Sequence, residues 1–373
     1  MQRIYSLAVV FPVALIAWMT IASAVADDVD SPSDHYSMED YDRVEKIDLH
    51  AHIHSEDAGF VTLSKRDRFR FVNMAVWSGD PESNHDKHRT TYWQYQADPS
   101  RTAPVCSFPV ENFDDKDFVA QTIAYLDQQI AKGAVGVKVW KNIGMVLRNK
   151  EGDLVMIDDP KFDPIFQHIA DQGLVLLGHL GEPKNCWLPL DEMTTLNDRS
   201  YFQKFPKYHM HLHPDLPSYE DQVAARDRML AKNPGVTFIG CHLASLEWST
   251  QRMAAFLDQF PNATIGVAAR TGQLQYQSQR DRDAVIEFFT KYQDRIVYGT
   301  DLGVDRENTL DQYQSVRERW LRDWRYFNTE QTQTVPELSE PVQGLGLPKT
   351  VVDKLYRLNT ERLFDRSWNP AAG

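Results

Sequence analysis

The stretch Gly173-Leu174-Val175-Leu176-Leu177-Gly178-His179 decides the fold. Four apolar side chains in a row leave no polar face, so a strand here must be covered on both sides. That is the pattern of a parallel sheet wrapped by helices, since an antiparallel sheet with one wet face alternates apolar and polar residues. Outward from this run the same unit repeats. Short β-rich runs over 46–53, 68–77, 104–110, 135–140, 173–179, 236–242, 263–269 and 295–301 are separated, in several places, by helical segments. Between Phe118 and Lys132 the apolar residues fall at 118, 119, 123, 126 and 130, close to a 3.6-residue period. Asp163-Pro164 offers an N-cap followed by proline for a helix over 164–171. Ser218 with Asp221 resembles a capping box before 219–232. Segments 247–259, 282–292 and 307–327 complete the helical set. Eight strands alternating with helices predict an α/β fold, a (β/α)8 TIM barrel; the runner-up is a doubly wound open sheet, which the lack of a Gly-rich phosphate loop after the first strand disfavours.

Two connections are long, 78–103 after the second strand and 180–217 after the fifth. Both fall where a barrel carries its βα loops, so the loops of the catalytic face are enlarged. The second holds Trp187, Tyr201, Tyr208, His209, His211 and His213 and reads as a lid or specificity insert, with plain surface decoration as the alternative.

The ends of the strands carry the chemistry. In Lys46-Ile47-Asp48-Leu49-His50-Ala51-His52-Ile53, alternation places His50 and His52 on one face. Same-face neighbours on a strand lie about 6.5 Å apart, close enough for two imidazoles to bind one cation. The fifth run ends in Gly178-His179, the sixth in Gly240-Cys241-His242 and the eighth in Gly299-Thr300-Asp301. Four histidines and one aspartate thus converge at one end of a barrel, the pattern of a metal site. In Gly136-Val137-Lys138-Val139-Trp140 the valines alternate with Lys138, which points inward if the valines face the helices. A lone buried ammonium is costly, so Lys138 is expected to be either ion-paired, for instance to Asp301, or carbamylated into an anion that bridges metals.

With these residues in place the sequence resembles the metal-dependent amidohydrolase superfamily over about residues 45–365. Its members put H-x-H on strand one, lysine on strand four, histidines on strands five and six, and aspartate on strand eight. The endings Leu345-Gly346-Leu347-Pro348 and Asn359-Thr360-Glu361-Arg362-Leu363, with Tyr298-Gly299-Thr300-Asp301, are similar to the branch of amidohydrolase-related decarboxylases, lactone hydrolases and hydratases. The resemblance implies a metal set drawn from His50, His52, Lys138, His179, His242 and Asp301. Many members of that branch hold a single metal without a modified lysine, whereas the setting of Lys138 looks more like binuclear members, so one and two ions both stay open. Nitrogen and oxygen donors point to Zn²⁺. Asp301 and His242 are the expected catalytic residues, Asp301 as the proton carrier. Arg270, Trp140, His54 and Glu182 are expected to line the substrate site. The implied activity is hydrolysis of an amide, ester or lactone bond of a small molecule, with decarboxylation of an aromatic or enoic acid as the alternative.

Composition bounds the rest. The chain has 373 residues, 42% hydrophobic, 11% aromatic and 25% charged, which excludes a disordered chain. A mean hydropathy of −0.48 excludes a polytopic membrane protein. Against 40 basic residues stand 53 acidic ones, for a net charge of −13, so neither nucleic acid nor an anionic membrane is an expected partner. Residues 1–26 read as a signal peptide, with Arg3, the apolar stretch from Leu7 to Ile21, and Ala24-Val25-Ala26 before Asp27. An exported protein, periplasmic or secreted, is the corresponding expectation. Residues 27–44 are expected to be a loose acidic leader and 45–373 the barrel. The three cysteines, Cys106, Cys186 and Cys241, follow no C-x-x-C spacing and are expected as buried thiols, one disulfide plus a free thiol being the alternative. Barrels of this kind often pair, which leaves a homo-oligomer open.

Overall fold

The computed structural model describes residues 33–78, 80–305 and 309–368. The signal-peptide reading lies outside these residues. The sheet is built from β1 Lys46–Ile53, β2 Phe69–Met74, β3 Thr102–Cys106, β4 Gly136–Val139, β5 Val175–Gly178, β6 Thr237–Gly240, β7 Ala263–Gly266, β8 Ile296–Val297 and β9 Leu302–Val304. Their order is β8-β7-β6-β5-β4-β3-β2-β1-β9, and each neighbouring pair is parallel. β8 lies within the eighth expected strand, 295–301, and β9 follows directly after its end. β8 pairs with β7 and β9 with β1, so this one segment closes the ring. Between them, Leu49 N donates to Tyr298 O at 3.0 Å and Asp301 N to His50 O at 2.8 Å. The fold is therefore the expected α/β barrel.

Side-chain alternation divides the apolar residues into two populations. Val72, Met74, Ala103, Val105, Val175, Leu177, Ile239, Cys241 and Val297 join Leu49 in the barrel interior. Val137, Val139, Leu176, Phe238, Ile265 and Tyr298 join the larger core beneath the helices. β1 breaks the alternation. Its register shifts between Asp48 and Ala51, a bulge that lets Leu49 and His50, consecutive residues, both face inward. Asp48 faces the helices, where Trp320 Nε1 donates to it at 3.0 Å.

The expected helices are present, with adjusted ends. Ser218 and Asp221 form the capping box of helix Tyr219–Lys232. Asp163 is the first residue of helix Asp163–Asp171 rather than its cap; Asp159 instead caps a preceding 3₁₀ turn, Pro160–Phe162, by accepting from Lys161 N at 2.9 Å. The long connection after β2 holds an unpredicted helix, Pro81–Ala97, opened by Asp80 as N-cap and Pro81 in its first turn. Its buried face is Asn84, His88, Thr90, Thr91, Tyr92 and Gln94, so it carries no apolar period to be read. The insert 180–217 contains one helix, Leu196–Lys204, and several 3₁₀ turns around a small core of Met145, Cys186, Met193, Phe202 and Met210.

The second half of the expected loose leader is docked instead. Lys349 N donates to Asp34 O, Tyr36 Oη to Asp353 Oδ1 at 2.9 Å, and Trp324 Nε1 to Ser37 O at 3.0 Å. Tyr41 is buried, and the buried Lys46 Nζ donates to Tyr41 O at 2.6 Å and Val44 O at 2.7 Å. An acidic stretch with aromatic residues every few positions can bury those rings while its carboxylates stay wet, which composition alone hides. Among the described residues no helix is long and apolar enough to cross a membrane. All three cysteines are buried free thiols.

Candidate metal and substrate site

The C-terminal ends of the strands open into a cavity of about 600 Å³. His50, His52, His54, Lys138, Trp140, His179, Glu182, His242, Arg270 and Asp301, every site residue expected from the sequence, line it. At its floor, Asp301 Oδ1 lies 3.0 Å from His50 Nε2 and 3.1 Å from His52 Nε2. These three residues offer donor atoms all within 4.8 Å of one another, the one such group among the described residues.

The hydrogen bonds made by the far side of each ring fix which nitrogen is free. His52 Nδ1 donates to Met74 O at 2.9 Å and His242 Nδ1 to Ala268 O at 2.9 Å; a carbonyl can only accept, so each ring presents a bare Nε2 to the cavity. His179 is turned the other way. Its Nε2 faces Glu182 Oε2 at 3.3 Å, which leaves Nδ1 bare, 3.1 Å from His242 Nε2. Two lone pairs facing each other at that distance repel unless a cation or a proton is shared between them. Burial holds His179 and His242 well below the usual imidazole range, followed by the charges of Lys141 and Lys138 on the first and of His179 on the second. Burial, then Lys138, lowers His50 to about 3. Neutral imidazoles with bare nitrogens beside a carboxylate are the state that ligates a divalent ion, and the donor set fits one. Asp301 stays ionised: burial opposes its charge, but His50 and His242 hold it well below the ordinary carboxylate range.

The backbone is strained where the site needs it. Simple alternation puts Cys241 inward and the next residue outward. His242, Leu243, Ala244 and Ser245 instead all have φ between 55° and 57°, a left-handed turn that swings the His242 ring back over the cavity, its centroid 5.0 Å from that of His50. Such a conformation costs about 1–2 kcal/mol per residue. The turn is held by the buried Arg226 guanidinium on Ala244 O, by Tyr219 Oη on Ser245 O at 2.5 Å, and by Ser245 Oγ on Leu180 O at 3.1 Å. Gly240 makes room for it, since a Cβ there would lie 2.5 Å from that of Ala244. Gly240→Ala is therefore expected to destabilise the protein by about 1–3 kcal/mol, the usual range for overpacking, and to weaken metal binding by displacing His242. Thermal unfolding and zinc titration check this; unchanged zinc affinity would show that the turn does not serve the site.

Lys138 departs from one of its expected states, the ion pair. It points inward, yet no carboxylate lies within ion-pair distance of it among the described residues, and the expected pair with Asp301 is not formed. Its Nζ lies 3.1 Å from His50 Nε2, the nitrogen that faces Asp301, and 3.0 Å from Cys241 Sγ. Arg270 is both paired and open. Its Nη1 lies 3.5 Å from Asp198 Oδ1, while its buried Nε has no partner. Glu182 binds the Lys141 ammonium as well as His179. His54 lines the wall with an unpartnered Nδ1, and burial lowers it to about 3. His209 and His213 bond to backbone carbonyls of the insert, and no metal group forms there among the described residues.

The sequence did not single out Lys141 and Asp198, and it named Tyr201 and Tyr208 only as aromatic residues of the insert. Lys141 Nζ reaches Tyr201 Oη at 3.2 Å and lies 4.3 Å from the Tyr208 ring centroid. Asp198 accepts from Asn185 Nδ2 at 2.8 Å and from Gln273 Nε2 at 2.7 Å, pinning the insert to the helix Thr271–Ser278 that follows β7. One signal for Lys141 was available, its position just past the end of β4.

Comparison with known proteins agrees with this geometry. The amidohydrolase family model matches residues 47–366. Among solved structures the chain is similar to 2,6-dihydroxybenzoate decarboxylase from Rhizobium, with a TM-score of 0.52, 15% identity, and coverage of 86% of this chain and 98% of that one. It is also similar to 4-oxalomesaconate hydratase from Rhodopseudomonas palustris, with a TM-score of 0.48, 11% identity, and coverage of 88% and 98%. No curated protein matches it by sequence.

Proposed function

Because the chain belongs to the amidohydrolase family, we propose that it is a metal-dependent hydrolase acting on an amide, ester or lactone bond of a small molecule. The observation that carries this reading is the convergence of His50 Nε2 and His52 Nε2 on one oxygen of Asp301 at the floor of an open cavity. His50, His52 and Asp301 would hold the ion, with the bare nitrogens of His179 and His242 beside them; their nitrogen and oxygen donors suit Zn²⁺. When bound, such an ion polarises the substrate carbonyl and makes water acidic enough to attack near neutral pH.

The remaining work falls to the chain. Asp301, held ionised, takes the proton of the attacking water and returns it to the leaving group. His242 has committed its one N–H to Ala268 O, so in its neutral form it can accept but not donate toward the substrate. That favours a ligand or base over a donor to an oxyanion. Trp140, Tyr201, Phe202 and Tyr208 give the cavity an aromatic wall, and Lys141 and Arg270 place positive charge in it.

A second reading, decarboxylation of a small aromatic or enoic acid, is favoured by the unpartnered Nε of Arg270, which can take a substrate carboxylate. The fold does not separate the two, since a barrel of the same fold is named as a decarboxylase. The expected result is activity lost on chelation and restored by Zn²⁺ or Mn²⁺, with lactones or N-acyl compounds turned over without CO₂. Release of CO₂ from an aromatic acid panel would replace the hydrolase with the lyase. Purified protein that neither contains nor takes up a stoichiometric transition metal would overturn both.

A further inference from the structure

Beside the metal-ligand candidates lies a contact that hydrolysis does not use. Lys138, on β4, and Cys241, directly after β6, both project into the barrel, and their Nζ and Sγ are 3.0 Å apart. Both residues are 1% exposed. The next contact of the Cys241 thiol is Ile239 O at 4.0 Å, so among the described residues the amine is its one close polar partner. The other two thiols face carbonyls, Cys106 on Gly136 O at 3.5 Å and Cys186 on Tyr208 O at 2.8 Å. A carbonyl oxygen offers a sulfur nothing to bond with after oxidation, whereas an amine nitrogen at this distance does. Lys138 also lines the cavity, which gives a small oxidant access to the pair.

We propose that Lys138 and Cys241 form an oxidation site, at which a single oxygen atom bridges Nζ and Sγ as a covalent N–O–S cross-link, and that this cross-link reversibly disables metal binding. The oxidant is a peroxide. The ammonium of Lys138, the thiol of Cys241 and two molecules of hydrogen peroxide give –NH–O–S–, three molecules of water and one proton. Nitrogen and sulfur together lose four electrons, which cleave the two peroxide O–O bonds. Reversal takes four electrons from two dithiol molecules: one attacks the sulfur, expels the nitrogen as a hydroxylamine and frees Cys241 as its own two thiols close to a disulfide, and the second reduces the hydroxylamine to the Lys138 amine with release of water. The bridge consumes the ammonium that touches His50 Nε2 and ties β4 to the residue next to His242, so it disturbs two imidazoles of the site at once. The loss of metal rests on the reading of the site given above; the cross-link does not.

The test treats the full-length protein with hydrogen peroxide and maps its peptides by mass spectrometry. The expected product joins the peptides of Lys138 and Cys241 with one oxygen gained and two hydrogens lost, and dithiothreitol releases it. Zinc affinity of the treated protein should fall roughly 10–100-fold, the size of effect seen when the surroundings of metal ligands are disturbed, and recover on reduction. Cys241→Ser should abolish the cross-link, and Lys138→Arg should leave Cys241 to climb the sulfenic, sulfinic and sulfonic ladder alone. Wild-type protein whose Cys241 yields only those acids, with no joined peptides, overturns the site. A cross-link with unchanged zinc affinity overturns its regulatory effect, and because the mass readout needs no substrate, neither outcome depends on which reaction the enzyme runs.

Discussion

Asp301→Asn is expected to abolish turnover and weaken zinc binding while leaving the protein folded. The fold survives because asparagine tolerates the left-handed backbone at this position, φ 61°, better than other replacements. The Asp301 N to His50 O bond that helps close the barrel belongs to the main chain and is untouched. What disappears is the negative oxygen on which His50 Nε2 and His52 Nε2 converge, and with it the group that carries the proton. Loss of a general base alone costs about 10²–10⁴-fold, and loss of an anionic ligand adds to that. The measurements are turnover on whichever substrate the panel identifies, metal content of the purified variant, and circular dichroism with thermal unfolding. A variant as active as the parent would remove Asp301 from the mechanism. One that binds zinc normally yet is inactive would assign it to proton transfer alone.

How much of this site could be read from the sequence follows from how each residue reaches it. His52, Lys138 and His179 were legible because plain strand alternation carries them inward, and an alternation of period two survives in sequence. His50 was legible only by pairing with His52, since the bulge between Asp48 and Ala51 changes the phase of β1 at that point. His242 was found at the end of an apolar run, but its direction was not readable: alternation turns Cys241 inward, and it takes the left-handed turn, with Arg226 and Tyr219 from a helix earlier in the chain, to bring the ring round. The same inward Cys241 placed its thiol beside Lys138, a juxtaposition between strands that no local pattern records. The helix Pro81–Ala97 escaped because its buried face is polar, although Asp80-Pro81 was a legible start. Lys141 lies just past the end of β4, Asp198 and Tyr201 lie on the short insert helix Leu196–Lys204 and Tyr208 on a 3₁₀ turn, and how these pieces meet the cavity depends on tertiary hydrogen bonds rather than on period.

Asp48 shows what the sequence offered and the motif obscured, for an acid flanked by the apolar Ile47 and Leu49, two residues before His50, is itself a signal. It is buried, and four donors converge on it. Oδ1 accepts from His50 N at 3.1 Å and Thr300 N at 3.0 Å, and Oδ2 from Thr300 Oγ1 at 2.6 Å and Trp320 Nε1 at 3.0 Å. It thus ties the backbone of one metal-ligand candidate, His50, to the residue before another, Asp301. Asp48→Ala strands these donors away from water. At about 1–3 kcal/mol for each unsatisfied buried group, partly relieved by local rearrangement, the expected loss is about 3–5 kcal/mol, seen as a lower urea midpoint. Zinc affinity should fall roughly 10–100-fold as His50 and Asp301 lose their common anchor. Asp48→Asn separates the two effects. Its carbonyl oxygen can keep the Oδ1 pair, which holds the site, but its amide meets Trp320 Nε1 donor to donor. Zinc affinity should therefore recover more than stability does, and adding Trp320→Phe to Asp48→Asn should restore part of the lost stability, a coupling that a double-mutant cycle measures. If Asp48→Ala unfolds more easily yet binds zinc as tightly as the parent, Asp48 supports the barrel and not the site.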